Sequence, residues 1–191
     1  MQDVMRGTNN AAGMPWLLAM RGLAGTGKST LGRALSRELG WPLIDKDDCK
    51  DILDGRALDA GALAHDIMFN VARRQLSLGL SAICDSTLAY AVGYQHARAV
   101  AAGCGARLAV LECRCPDDAE WQRRIDGRKT LGLPSHHQAD WAAFRAMREH
   151  WLSHLGYTID DPHLVVNTVR PLPELVAEVK AWLRIGPVVQ G

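Results

Sequence analysis

The sequence predicts an α/β fold, a parallel sheet with helices on both faces, and three observations carry that expectation. Short apolar runs alternate with segments of helical spacing, the order in which parallel strands and their crossover helices occur. One run, ARLAVLEC over 106–113, is apolar almost throughout, as a strand covered on both faces requires. A glycine-rich turn separates the first apolar run from the first helical segment. The 191 residues suit one domain, with room for a small mobile insertion. The pattern divides the chain into a disordered lead-in over 1–14, a domain over 15–185 and a tail over 186–191.

Trp16 to Arg21 (WLLAMR) is the first strand, and Leu31, Leu35 and Leu39 mark a helix from Lys28 that Gly40 stops. Pro42 to Ile44 is a short second strand that delivers an acidic turn, Asp45 to Asp48. From Ala60 to Leu78, polar Asp66, Asn70 and Arg74 separate Leu63, Ile67, Val71 and Leu78, which predicts an amphipathic helix with those four as its apolar stripe. Leu80 to Cys84 reads as the third strand, bounded by Asp85 and Ser86, and an alanine-rich helix follows from about Thr87 to Ala102. After the fourth strand, Pro116 with Asp117 and Asp118 opens a helix carrying WQRRIDGR. Lys129 to Gln138 has no periodicity and is expected to be a loop, and the helix after it carries Trp141, Phe144, Met147, Trp151 and Leu155 as its stripe. HLVVNT is the fifth strand and Pro171 to Leu183 the closing helix.

Composition narrows the class. Lys plus Arg is 22 against 21 Asp plus Glu, so a net charge of +1 supplies no global field for nucleic acid or a membrane. No apolar run approaches the ~20 residues that span a bilayer, and the N-terminus lacks a signal-peptide core, so a cytoplasmic location is expected. Five cysteines without a C-x-x-C pair suggest neither a disulfide framework nor a zinc site. Cys84, Cys104, Cys113 and Cys115 read as mostly buried thiols.

Residues 22–30, GLAGTGKST, satisfy G-x-x-x-x-G-K-[ST] in full between a strand and a helix, the context that confirms a phosphate-binding P-loop. A triphosphate needs many donors at once, and successive inward N–H groups supply them only where side chains do not obstruct. The nucleotide-binding set is therefore Gly22, Ala24, Gly25, Thr26, Gly27, Lys28, Ser29 and Thr30, joined by Arg124; the Thr30 side chain is expected to pack or cap. Lys28 should reach the β- and γ-phosphates, and the Ser29 hydroxyl should ligate magnesium.

Phosphoryl transfer needs more: a second magnesium-organising carboxylate, a group that orients or deprotonates the acceptor, and cations for the phosphoryl oxygens. Asp85 ends an apolar strand where such a carboxylate would hold magnesium, although an aspartate capping the next helix would look the same. One of Asp45, Asp47 and Asp48 is a candidate base, against the plainer reading of a solvated acidic turn. Arg124 and Arg128, four apart, share a helix face, with Trp121 and Ile125 on a neighbouring core-directed face. With Lys129 and the loop through His137 they read as an arginine-bearing lid near 124–138, or else as an exposed charged helix; Arg123 lies off that face.

GLAGTGKST, DKDDCKDIL, CDST and WQRRIDGRK, in that order, resemble the small P-loop kinases, AAA_33-like ATP-binding proteins that include polynucleotide kinase 5′-kinase domains, gluconate kinase-like and chloramphenicol phosphotransferase-like proteins. The resemblance spans roughly 16–183. It implies a five-stranded sheet of order 2-3-1-4-5, ATP and Mg2+ as cofactors, Asp47 as base, Asp85 on the acceptor as well as magnesium, Arg124 and Arg128 as lid arginines, and an adenine pocket near 167–171. Lys50 stands where relatives often carry Arg, which weakens the case for bidentate recognition of an acceptor phosphate.

The expected partner is a small-molecule hydroxyl acceptor, contacted from 57–70, 85–94 and His136 or His137. Nucleic acid is less favoured, because the densest basic cluster, Arg123, Arg124, Arg128 and Lys129, belongs to the lid, leaving Lys50 and Arg56 on the acceptor side. A polynucleotide or nucleoside 5′-hydroxyl kinase is the alternative, and an ATPase or silent nucleotide-binding module a second. His150 and His154, four apart, read as an exposed pair. The acceptor's identity and the oligomeric state are not legible in the residues.

Overall fold

A computed structural model describes residues 13–128 and 140–185. Most of the lead-in, the lid loop with Lys129, His136 and His137, and the tail over 186–191 lie outside the described residues. Five strands, β1 (Trp16–Arg21), β2 (Leu43–Asp45), β3 (Ala82–Asp85), β4 (Arg107–Arg114) and β5 (His163–Asn167), form one sheet of order β2-β3-β1-β4-β5. Every pairing is parallel. The helices are α1 (Lys28–Leu39), α2 (Lys46–Leu53), α3 (Ala60–Ser77), α4 (Ala91–Gly103), α5 (Asp118–Asp126), α6 (Trp141–His154) and α7 (Leu172–Ile185). The expected α/β class and strand order are observed.

β1 is buried at all six positions, which follows from its central place between β3 and β4. Its alternate side chains feed two cores. Leu18 and Met20 join Leu31 and Leu35 of α1 and Val179 and Leu183 of α7 on one face. Leu17 and Ala19 join Met68, Phe69 and Ala72 of α3 and Tyr94 and Ala97 of α4 on the other. A third cluster, Leu23, Cys115, Trp121, Ile125 and Phe144, sits beside the glycine-rich turn. No helix among the described residues is long and apolar enough to cross a membrane.

Four expectations need correction. The acidic turn is helical: Asp45 ends β2 and caps α2, its side chain accepting from the Asp47 N–H at 2.9 Å, so Asp47 and Asp48 lie in the first turn of a helix. The stripe Leu63, Ile67, Val71 and Leu78 is exposed, between 39% and 66%. α3 carries a second apolar set, Ala64, Met68, Phe69, Ala72 and Leu76, and that set lies on the sheet. α4 starts at Ala91 rather than Thr87, because Gly22 N–H donates to Thr87 O and Tyr157 Oη–H to Leu88 O, holding Leu88 at φ 43°. Met147 is 47% exposed, whereas Phe144 is buried and Trp141, Trp151 and Leu155 pack on the third cluster. Cys84, Cys113 and Cys115 are buried and Cys104 half-buried.

Candidate active site

The site forms where the carboxyl ends of β1, β2 and β3 meet the start of α1 and the end of α5. The turn after β1 is pressed from two sides. A Cβ on Gly22 (φ 134°) would stand 2.5 Å from Cys113 O, and one on Gly25 (φ 76°) 2.7 Å from Ile125 Cδ1. Those glycines therefore serve close packing against β4 and α5 as well as backbone freedom. Gly27, at φ 90°, is the cap of α1, so the N–H groups of the first turn are left for a ligand rather than a capping side chain. Ser29 is half-buried on that turn and Thr30 exposed. Thr26 Oγ1 donates to Leu23 O at 2.8 Å.

Lys28 is buried, and its Nζ donates to Leu23 O at 2.9 Å, so the side chain curls over the turn. Burial lowers its pKa, opposed chiefly by the Asp85 carboxylate. Asp85 is 2% exposed, and its Oδ2 accepts no hydrogen bond from the protein. A buried carboxylate oxygen without a donor is costly unless something else satisfies it, and Asp85 and the Ser29 hydroxyl are oxygen groups of the kind that could hold Mg2+. Among the described residues no group of three or more His, Cys, Asp or Glu forms a protein-only metal cage.

Asp45 is the register partner of Asp85 across β2 and β3, so two carboxylates stand side by side. Burial, and then the Asp85 charge, raise the Asp45 pKa from 3.8 to about 6. Folding thus favours its protonated form. The stabilisation is complete below pH 3.8 and is lost as pH rises through about 6. Asp45→Asn keeps the cap and removes the charge. The variant should melt about 2–4 °C above the parent at pH 8, about 1 kcal/mol after allowing for partial solvation. It should gain nothing near pH 4. Thermal melts at both pH values check this, and an equal gain at both would sink the electrostatic explanation.

Asp47 pairs with Lys46 at 2.6 Å and is 40% exposed on its side chain. It acts electrostatically on both Lys28 and Arg128. Arg128 is half-buried, and burial lowers its pKa against the pull of Asp47 and Asp85. Arg124 lies against the glycine-rich turn itself, its Nη1 3.2 Å from where a Cβ on Gly27 would stand. Its Nη1 donates to Thr168 Oγ1 at 3.0 Å, its Nη2 to Thr168 O at 2.8 Å, and its Nε to Glu120 at 2.7 Å. Thr168 Oγ1 donates in turn to Thr26 O at 2.7 Å, so Arg124 braces β5 against the glycine-rich turn. The shared helix face expected for the two arginines is not formed, because α5 ends at Asp126 with Gly127 as its cap and Arg128 lies beyond it. Arg123 is 73% exposed and bound to Glu120.

Lys28, Asp45, Asp47, Asp85 and Arg128 are thus brought together. Lys50 is half-buried on α2, and His150 and His154 touch each other at 3.2 Å on the outside of α6. Two features were missed in the sequence. Thr168 stands in the sequence only as one residue of the 167–171 stretch, and a Thr after a strand end is its sole signal. Arg21 and Glu112 pair at 2.6 Å beneath the turn, both nearly buried. Burial alone would raise the Glu112 pKa, but hydrogen bonds from His163 and Arg114 and the Arg21 charge hold it near about 2. An Arg closing one apolar strand and a Glu inside another was the available signal. The pair lines a cavity of about 380 Å³ with Leu23, Cys115 and Trp121. A groove of about 430 Å³ around Arg98 and Asp161 lies at the amino ends of β4 and β5, remote from this chemistry.

Known structures share this arrangement of strands and helices. A candidate kinase of Chloroflexus aurantiacus J-10-fl superposes with a TM-score of 0.70 at 23% identity, over 88% of this chain and 98% of that one. The APS kinase of Mycobacterium tuberculosis in complex with AMPPNP and APS gives 0.64 at 16%, over 91% and 99%. A gluconokinase of Sinorhizobium meliloti 1021 gives 0.58 at 19%, over 91% and 94%. At these identities the likeness establishes the fold, that of P-loop kinases. No curated protein matches the chain. The AAA domain model AAA_33 matches residues 17–151, well over half the sequence and all the elements that build the site except β5, and the chain belongs to that family.

Proposed function

We propose that the protein is an ATP-dependent phosphotransferase that moves the γ-phosphoryl group of ATP to a hydroxyl of a small-molecule acceptor. The observation that carries this is the meeting of Asp47, Asp85 and Arg128 with Lys28, since a module that only bound nucleotide would need no carboxylates on the acceptor side. The glycine-rich turn and the first turn of α1 hold the phosphates through N–H groups, and Lys28 leaves Leu23 O to reach the β- and γ-phosphates. Ser29 and Asp85 would hold Mg2+, which when bound would supply charge neutralisation on the phosphate oxygens. Asp47 accepts the acceptor's hydroxyl proton as its oxygen bonds to the γ-phosphorus, and the bond to the bridging oxygen breaks to release ADP. Arg128 stabilises charge on the transferring group. The proteins of like fold include two whose names state phosphorylation of a small acceptor, APS kinase and gluconokinase, which supports that class.

The divergent arginines predict different defects. Arg128→Ala should lower kcat by about 10²-fold with little change in KM for ATP, as expected for a group used in the transition state. Arg124→Ala should chiefly raise KM for ATP, because it loosens Thr168 and the turn. Steady-state kinetics separate the two, and identical defects would return both to one lid role.

ADP release with and without an acceptor panel tests the function. Small alcohols, sugars and nucleosides should include compounds that accelerate release, and 5′-hydroxyl oligonucleotides should not. Salt-sensitive labelling of the oligonucleotides would establish the alternative, a 5′-hydroxyl kinase. Steady ADP release indifferent to every acceptor would favour an ATPase.

A further inference from the structure

The outward stripe of α3 carries an inference that does not depend on the proposed activity. Leu63, Ile67 and Val71 are 43%, 39% and 41% exposed, and Leu78, at the cap of the same helix, is 66% exposed. On a helix turning about 100° per residue, Leu63, Ile67, Val71 and Leu78 cluster on a line that centres about a third of a turn from the buried set of Met68 and Ala72, with Val71 on the side next to buried Ala64. Exposed Arg74 falls on that line, giving the positions 63, 67, 71, 74 and 78. Those spacings of 4, 4, 3 and 4 make a seam of the kind that packs against another helix.

The order along the seam is close to palindromic. If two copies of α3 lie antiparallel with the two-fold axis beside Val71, residue 63 of one meets 78 of the other and 67 meets 74. Leucine then faces leucine at both ends, and Val71 meets its own symmetry mate near the centre. Charge follows the same symmetry. Asp66 lies in the amino-terminal half of the helix and exposed Arg73 and Arg74 in the carboxyl-terminal half, so the antiparallel arrangement sets each Asp66 near the other copy's Arg74 at both ends. A parallel arrangement would set Asp66 against Asp66 and Arg74 against Arg74. Asp66 has an exposed side chain whose nearest ion-pair partner, His96 Nδ1, is 3.8 Å away, so it is free to turn outward. The Arg74 stem can cover Ile67 while its head reaches Asp66. Self-complementarity of this type is what a two-fold interface between identical chains requires.

We propose that the exposed face of α3 is the interface of a homodimer, formed by two antiparallel copies of this helix with Val71 at the axis and Asp66 paired to Arg74 of the other copy. The inner face of the same helix carries half-buried His65, on which Lys46 and Asp47 act electrostatically, so the interface backs directly onto the candidate acceptor side.

Sedimentation equilibrium on the full-length protein tests this, with circular dichroism confirming that each variant is folded. The parent should be a dimer. Val71→Arg places two cations at the axis and should give monomer. Asp66→Arg and Arg74→Asp should each weaken association at least about tenfold through like-charge contacts, and the double variant should recover most of it. A monomeric parent overturns the proposal. So does a dimer that neither Val71→Arg nor the single charge reversals weaken, or one in which the double reversal adds the two defects instead of cancelling them.

Discussion

Lys28→Ala is expected to abolish phosphoryl transfer, by about 10³-fold or more, with the fold unchanged. Lys28 is buried against the turn, and the proposed function assigns it the reach to the β- and γ-phosphates. Its structural contribution is small by comparison. Burial already works against its charge, and the one hydrogen bond it makes is to a loop carbonyl, Leu23 O. The melting temperature should therefore move by only a few degrees while turnover vanishes. ADP release and a thermal melt on the same preparation check both halves, and retained turnover would remove the phosphate-binding assignment.

Asp47→Asn is expected to lower acceptor-dependent turnover by about two or more orders of magnitude while ATP binding stays near that of the parent. Asparagine keeps the shape but cannot take the hydroxyl proton at neutral pH. The position tolerates the change, since Asp47 is partly exposed, and the cap of α2 comes from Asp45 rather than from Asp47 itself. Binding of a fluorescent ATP analogue and the kcat of the variant measure the two terms separately. Unchanged turnover would move the base to Asp45, Asp48 or Asp85. Asp45 would then come first, because its raised pKa of about 6 already gives it protons to exchange near neutrality.

Sequence and tertiary structure contributed at different points. GLAGTGKST was legible because its constraint is local: a backbone that turns its N–H groups inward needs glycine at fixed offsets, whatever surrounds it. Lys28, Ser29 and the strand-ending Asp85 followed from that context. β1, β3 and β4 were legible because a buried parallel strand must be apolar along its length. The strand order came from resemblance, since no local pattern states which strand lies beside which. α3 shows the limit most plainly. It carries two apolar sets, either of which satisfies helical periodicity, and spacing alone favoured Leu63, Ile67 and Val71. Only the sheet decided between them, because Ala64 and Ala72 let the helix lie close while Met68, Phe69 and Leu76 fill the space between.

The same holds for charge. Arg124 and Arg128 would share a helix face by spacing, yet α5 ends at Asp126, and Thr168 lies within reach of one while Asp47 and Asp85 act on the other. Asp45 reads in the chain as one acidic residue in a run, and it becomes distinctive when β2 pairs with β3 and sets it beside Asp85. The sequence by itself thus determined the fold class, the phosphate-binding turn and the list of residues able to do the chemistry, because backbone geometry and apolar periodicity are short-range. The tertiary structure decided which carboxylates stand together, what each arginine contacts and which apolar set of α3 is buried, because electrostatic coupling and packing depend on distances between residues far apart in the chain.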